Sequence, residues 1–206
     1  MPRQTATKIQ PRSAIWLAWA LWAIYLLLQT AALAVAFLAR SYSDRAETLT
    51  LFSRFLLFLP FSFAFPTVGA LIAARHPRNP IGWLFLSIGL LAVFGGFAEG
   101  YWRYTLFVWP GSLPAGELML WVNVRPYDIQ LILILLLILL FPTGRPLSQR
   151  WSVVGWLIIL GGLINQAALA FMPGPLNPGI DITNPLGLEG ASGLLQFCAN
   201  LGASML

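Results

Sequence analysis

Polar side chains gather at the start of the fourth long apolar stretch of the chain. Asn123, Arg125, Asp128 and Gln130 stand close together there. Charged groups at membrane depth are costly, so they mark candidate binding sites. If a helix already runs through this stretch, Arg125 and Asp128 lie three residues apart on one face and can form an ion pair. If Pro126 begins the helix, the cluster is an interfacial cap with Asp128 near the positive helix end.

Glu99 is a second candidate at the end of the third apolar stretch. It either faces Arg125 across a shallow outward pocket walled by Tyr101 and Trp102, or it belongs to a solvated helix end. The first alternative predicts a ligand or sensing pocket made of Glu99, Tyr101, Trp102, Arg125 and Asp128.

No pattern of catalytic residues accompanies these groups. His76 is the only histidine and Cys198 the only cysteine. A zinc site needs three or four ligands, and a catalytic nucleophile needs a nearby base. Neither His76 nor Cys198 has a second His or Cys at a suitable spacing. The sequence also contains no Walker A or histidine metal motif. We therefore predict a non-enzymatic chain without metal or cofactor. A lipid-modifying enzyme would need paired carboxylates at a cytoplasmic helix end, and these are absent from the sequence.

Long apolar elements must position the polar groups. Hydrophobic residues make up 58% of the chain and charged residues 9%, against roughly 25% charged in soluble domains. A bilayer core needs about 20 apolar residues in helical form. We predict an all-α integral membrane protein, a polytopic bundle of five full transmembrane helices plus a sixth that is cut off at the C-terminus. Residues 1–12 form a tail and residues 13–206 the module, with helices at about 14–39, 55–74, 81–98, 118–141, 152–172 and 191–206.

The basic residues between these helices are unevenly distributed, which predicts an orientation. One side carries seven of them and no acid: Arg3, Lys8, Arg12, Arg75, Arg78, Arg145 and Arg150. The other side carries four basic residues: Arg40, Arg45, Arg54 and Arg103. The acids that lie outside the helices are also on this second side. Because Lys and Arg in short loops stay inside, we predict a cytoplasmic N-terminus. The net charge is +5, but the basic residues are scattered singly and form no stripe that a phosphate backbone could follow. The predicted partner is therefore the lipid bilayer, and no nucleic acid is expected.

Proline and glycine mark the connections. The segments 75–80 and 142–150 predict tight helical hairpins, in which Asn79 bonds its own backbone. The segment 173–190 repeats this turn chemistry without a predicted strand. Pro60 and Pro66 predict a kink in the second helix.

The two turns resemble the N-terminal membrane modules of bacterial sensor histidine kinases, of the kind frequent in Chloroflexi and Actinobacteria. The resemblance covers roughly residues 55–206 and includes the segment 184–190. It rests mainly on Arg75, Arg78, Asn79, Pro80, Gly82, Trp83, Phe141, Pro142, Gly144 and Arg145. It implies a multi-pass sensor or anchoring module of a two-component system in the bacterial inner (plasma) membrane. It also implies a homodimer, and an output domain or response regulator reached only through an intact parent protein.

The sequence also departs from this family. Such kinases continue into a dimerisation region with a phosphoacceptor histidine and an ATP-binding domain, and neither is present here. His76 lies in a tight turn and does not match the phosphoacceptor. We therefore expect the input half of a longer protein. The alternative is a small transporter or channel subunit, for which Pro60, Pro66 and Asn165 are weak signals because no internal repeat accompanies them.

Overall fold

The computed structural model describes residues 12–41, 60, 62–123, 125–177 and 180–206. These residues form seven α-helices and one short hairpin. In chain order the elements are α1 (Arg12–Leu38), a 3-10 turn (Ala39–Ser41), α2 (Ser62–Arg75), α3 (Pro80–Arg103), a π-helical turn (Tyr104–Val108), α4 (Gly116–Asn123), α5 (Arg125–Leu140), α6 (Gln149–Phe171), β1 (Pro175–Asn177), β2 (Ile180–Thr183) and α7 (Ser192–Ser204).

Four helical segments are long and apolar enough to cross a membrane: Arg12–Ser41, Pro80–Val108, Gly116–Leu140 and Gln149–Phe171. Their mean hydropathy lies between 1.7 and 2.1, and α2 is a shorter apolar helix. Large apolar side chains such as Trp16, Leu27 and Phe37 lie on the outside of the bundle. A helical surface of this kind suits hydrocarbon. The prediction of an all-α protein with membrane-length helices is confirmed.

Several predicted boundaries differ from the structure. The third helix, predicted to end at residue 98, continues to Arg103 and then as a π-helical turn to Val108, so Tyr101 and Trp102 are helical. The predicted fourth helix consists of α4 and α5. The predicted second helix is helical from Ser62 onward. Residues 55–59 and 61 of the predicted helix lie outside the described residues. The predicted kink at Pro60 depends on these neighbours, so it too lies outside the described residues.

The segment 173–190 contains strands that the sequence did not predict. β1 and β2 pair antiparallel, with Pro175 opposite Thr183 and Asn177 opposite Ile180. Strands this short lack the length over which alternation becomes visible, so the proline and glycine turn signals dominate the sequence.

Helix α3 lies at the centre of the bundle. In its most apolar window 44% of the residues are buried, against 11% in α1. Ala18 of α1, Ala70 and Ala73 of α2 and Leu86 of α3 form one buried cluster. On its other side, α3 packs Ile81 and Ile88 against Leu137 of α5.

Glycine residues allow the helix backbones to approach closely. A Cβ atom built on Gly82 of α3 would lie 2.9 Å from Cα of Ala73 and 3.0 Å from the carbonyl oxygen of Gly69, both in α2. A Cβ atom on Gly202 of α7 would lie 2.6 Å from the backbone nitrogen of Asn165 in α6. Because lipid is as apolar as the side chains, such close packing is a main source of helix association in membranes.

The contacts also define the helix directions. α1 and α3 run parallel, since Ala18 shares a cluster with Leu86 and Ala36 lies beside Gly100. α5 runs antiparallel to α3, because Leu137 packs with Ile81 and Pro126 lies beside Gly95. α6 runs antiparallel to α5, because Arg125 reaches Leu169 and Leu139 lies beside Gly155. The turns 76–79 and 141–148 therefore lie at one end of the bundle, here called the basic end. The end of α3 at Arg103 and the start of α5 lie at the opposite end, here called the polar end.

The close approach of α2 and α3 predicts unequal effects of alanine at two glycines of α3. Gly82→Ala should lower the free energy of unfolding by about 1–3 kcal/mol, because its methyl group meets backbone atoms. Gly96→Ala is the matched control, since nothing lies within 4 Å of the position of its Cβ atom. Its stability should stay the same or rise by up to about 1 kcal/mol. Reversible unfolding in mixed micelles measures both values, and equal losses at the two positions would contradict this packing.

Candidate functional site

The first turn of the basic end is fixed by its own side chains. Asn79 is the N-cap of α3, and its Oδ1 accepts a hydrogen bond of 3.0 Å from the backbone N–H of Ile81. Pro80 occupies the first turn of the helix, where it needs no backbone donor. The indole of Trp83 donates a 2.9 Å hydrogen bond to the carbonyl of Pro77. The side chain of Asn79 thus bonds the local backbone, as predicted, with Ile81 as the donor.

The second turn ends α5 with a glycine in the left-handed region. Gly144 has φ = 75°, and its N–H donates to the carbonyl of Leu140 at 2.8 Å. This geometry is the ordinary helix termination in which glycine avoids the strain of a Cβ atom. The hydroxyl of Thr143 donates to the carbonyl of Arg145 at 3.2 Å and closes the turn. The turn residues Phe141 and Pro142 precede it and are exposed.

The two turns touch each other. A Cβ atom built on Gly144 would lie 2.7 Å from Cδ of Pro80 and would overlap Oδ1 of Asn79. Gly144 is therefore required both by its φ angle and by this contact, called here the turn contact (Asn79, Pro80 and Gly144). The sequence placed the two motifs in separate hairpins, and it did not indicate that they meet.

Basic residues lie close to the turn contact in the sequence. Arg75 and Arg78 are next to or in the first turn, Arg145 lies in the second, and Arg150 is in the first turn of α6. Neither turn carries an acid. The basic end is therefore a positively charged surface that can contact anionic lipid headgroups or an acidic partner.

At the polar end, Glu99 pairs within its own helix. Its Oε1 lies 2.8 Å from Nη2 of Arg103, one turn further along α3. The guanidinium of Arg103 also lies over the ring of Trp102, with 5.5 Å from Cζ to the ring centroid. The ion-pair partner of Glu99 is thus Arg103, whereas Arg125 binds elsewhere.

Asn123 connects α3 with the end of α4. Its Oδ1 accepts from Nε1 of Trp102 at 3.3 Å, and its Nδ2 donates to the carbonyl of Gly95 at 3.0 Å. Both Asn123 and Trp102 are buried. The hydroxyl of Tyr101 donates to the carbonyl of Pro114 at 2.8 Å and fixes the loop before α4.

Arg125 and Asp128 each bind α6. Nη2 of Arg125 donates to the carbonyl of Leu169 at 3.0 Å, and its Cζ lies 4.9 Å from the ring centroid of Trp121. Oδ2 of Asp128 accepts from Nε2 of Gln166 at 3.1 Å. Gln166 of α6 is thereby hydrogen-bonded to α5. The two charged residues act as cross-links between α5 and α6.

Asn184 closes the last turn of α6. Its Nδ2 donates to the carbonyl of Ala170 at 2.9 Å and to that of Met172 at 2.8 Å. Its Oδ1 accepts from the N–H of Leu186 at 3.0 Å. One buried amide thus satisfies two helix-terminal carbonyls and forms the following turn. This role explains the asparagine in the segment 184–190.

The five residues of the predicted pocket therefore fall into two hydrogen-bonded groups at one end of the bundle. Glu99, Tyr101 and Trp102 bind partners in α3, α4 and the loop between them, whereas Arg125 and Asp128 bind α6. The pocket hypothesis stays a prediction. Among the described residues, no group of three or more His, Cys, Asp or Glu side chains has the arrangement of a metal site.

Sequence reasoning missed a buried polar pair in the middle of α1. Tyr25 is fully buried and Gln29 is 8% exposed, and the hydroxyl of Tyr25 donates to Oε1 of Gln29 at 3.2 Å. Both side chains are neutral at pH 7, so a pattern of charged residues does not reveal them. The sequence does contain an indication of this pair, because the two polar side chains are four residues apart within a long apolar run and therefore share one face of the helix.

Comparison of the chain with protein-family models, with curated proteins and with solved structures finds no match. Functional inference therefore depends on the geometry and on the turns.

The cross-link between α5 and α6 predicts an energetic coupling between Asp128 and Gln166. In a double-mutant cycle of Asp128→Ala and Gln166→Ala, the coupling free energy should be about 0.5–1.5 kcal/mol, the range of hydrogen bonds between membrane helices. Asp128→Ala combined with Gln196→Ala is the matched control, because Gln196 donates to Asn200 within α7. That control should be additive. Additivity in both cycles would remove the cross-link from the account.

Proposed function

We propose that this chain is a non-catalytic membrane sensor or anchoring module, the input half of a protein similar to a two-component sensor histidine kinase. The observation that carries the proposal is the turn contact. The two turns that resemble the kinase modules pack against each other at one end of the bundle, with Gly144 fitted against Asn79 and Pro80. Because the two motifs form one surface, a shared function explains them better than an independent role for each loop does.

The distribution of charge supports a cytoplasmic position for this surface. Arg75, Arg78, Arg145 and Arg150 are in or next to the two turns, and the N-terminal end of α1 lies at the same end of the bundle. Basic residues in short loops favour the cytoplasmic face. In this proposal the module has five full helices and a sixth, with the N-terminus in the cytoplasm of a bacterial cell and the bundle in its inner membrane.

Hydrogen bonds at the polar end support transmission along the bundle. Asn123 joins α3 to α4, Arg125 and Asp128 join α5 to α6, and Asn184 fixes the end of α6. In this proposal a ligand or stress that changes these bonds shifts α4 relative to α3 and α6 relative to α5. These helices lead to the turn contact, and α7 packs antiparallel on α6 through Gly161 and Gly202 and runs back toward the basic end. We place the sensing residues at the polar end, namely Glu99, Tyr101, Trp102, Arg125 and Asp128.

The partners follow from the same proposal. The bilayer surrounds the apolar surface, and a second copy of the chain is implied by the resemblance to dimeric kinases. A response regulator would be reached only through an output domain of the intact parent.

The coding DNA beyond the codon for Leu206 tests this proposal. We expect a kinase-type dimerisation region with a phosphoacceptor histidine and an ATP-binding domain, either in frame or after a single frameshift. A stop codon followed by an unrelated gene would contradict the sensor proposal.

A small transporter or channel subunit is the alternative, and one observation favours it. Tyr25 and Gln29 are polar, buried and midway along α1, a position where transporters hold their substrates. Purified chain in liposomes distinguishes the two functions. The sensor proposal expects no ion or solute flux above that of protein-free vesicles, whereas flux that Gln29→Leu abolishes would favour the transporter.

A further inference from the structure

A cavity of about 230 Å³ lies between α1, α2 and α3. Its walls include Tyr25, Gln29 and Ala32 of α1, Ser62 of α2, and Val93 and Gly96 of α3. It opens to the surface of the bundle on one side, because Leu33, Ala36 and Gly96 of its lining are exposed. The cavity is separate from both the turn contact and the polar end.

The polar wall of the cavity lies deep in the predicted membrane span. Tyr25 is the middle residue of α1, which has Arg12 at its start and Arg40 just beyond its end. Gln29 stands one helical turn further, about 6 Å from that middle at 1.5 Å per residue. The hydrocarbon boundary is about 15 Å from the bilayer centre. Polar groups at such depth are costly unless they have partners.

The hydrogen bonds of this wall leave one donor group unused. Ser62 hydrogen-bonds to the hydroxyl of Tyr25, and that hydroxyl donates to Oε1 of Gln29 at 3.2 Å. Within the part of the chain that the structure describes, Nε2 of Gln29 has no acceptor. An amide nitrogen in a side chain that is only 8% exposed thus borders an apolar cavity.

The opposite wall is open at Gly96. No atom lies within 4 Å of the position where a Cβ atom of Gly96 would stand, whereas a Cβ atom on Gly89 of the same helix would lie 2.8 Å from the ring of Pro66. Gly89 is therefore needed for packing. Gly96 has no such requirement, and because it is exposed, a larger side chain there would cover the open side of the cavity.

We propose that this cavity binds a small, largely apolar molecule with one carbonyl-type hydrogen-bond acceptor, which Nε2 of Gln29 recognises. An apolar cavity of about 150 Å³ holds benzene, so about 230 Å³ fits one aromatic or alicyclic ring with a small substituent. The ester carbonyls of bilayer lipids lie beyond the hydrocarbon boundary, so the ligand is a free ketone, quinone or related molecule. This inference does not depend on the proposed function.

Two fluorinated probes of similar shape test the proposal. 4-Fluoroacetophenone carries the carbonyl, and 4-fluorocumene replaces it with an isopropyl group. We expect ¹⁹F NMR titrations with the full chain in lipid nanodiscs to give saturable binding of both, with 4-fluoroacetophenone about fivefold tighter because of one hydrogen bond. Empty nanodiscs correct for partition into lipid. Absence of saturable binding, or equal affinity of the two probes, would overturn the proposal.

Three variants separate the hydrogen bond from the cavity. Gln29→Met keeps nearly the same volume and should reduce the affinity for 4-fluoroacetophenone to that for 4-fluorocumene. Gly96→Leu should fill the cavity and abolish saturable binding of both probes. Gly193→Leu adds the same side chain in α7, at another position with nothing within 4 Å, and should bind like the unmodified chain.

Either of two results contradicts the assigned site, namely unchanged preference for the ketone in Gln29→Met or retained binding in Gly96→Leu. Helix content and thermal midpoint are measured for each variant. If Gly96→Leu does not fold, Gln29→Met decides the outcome alone.

Discussion

The close approach of helix backbones to α3 is the constraint on which the rest of the structure depends. Hydrocarbon supplies little driving force for association between apolar helices, so the bundle needs surfaces that fit closely. Gly82 admits α2, Gly89 admits the ring of Pro66, and Gly100 admits α1 at Ala36. These contacts set the order and direction of α1, α2 and α3. They also position the first turn so that Gly144 can meet it.

Amide and guanidinium side chains satisfy the backbone where the helices begin or end. Asn79 caps the start of α3, Asn184 binds the last carbonyls of α6, and Arg125 binds the carbonyl of Leu169. Irregular backbone near a membrane needs such partners because unsatisfied N–H and C=O groups cost several kcal/mol in hydrocarbon. The two ends nevertheless differ in kind. At the basic end the two turns meet through a steric contact at Gly144, whereas at the polar end hydrogen bonds from Asn123, Arg125 and Asp128 join neighbouring helices.

The sequence predicts those features that depend on local chemistry. Apolar runs identified the helices, and Asn79 and Gly144 identified their turns. The end of the third helix was missed because hydropathy falls at Glu99, although the pair of Glu99 with Arg103 lets the helix continue. The partners of Arg125 and Asp128 lie in α6, a long-range contact that spacing cannot indicate. Gln29 is neutral, so the charge pattern that points to Arg125 and Asp128 does not point to it.

Thiol accessibility in intact cells tests the central claim most directly, namely that the turn contact lies at the cytoplasmic face. Ser148 and Thr183 are both exposed, the first beside the second turn and the second in β2 at the polar end. After Cys198 is replaced by alanine, Ser148→Cys should stay unlabelled by an impermeant maleimide and Thr183→Cys should react. Both should react after the cells are permeabilised. Labelling of Ser148→Cys with protection of Thr183→Cys would contradict the account.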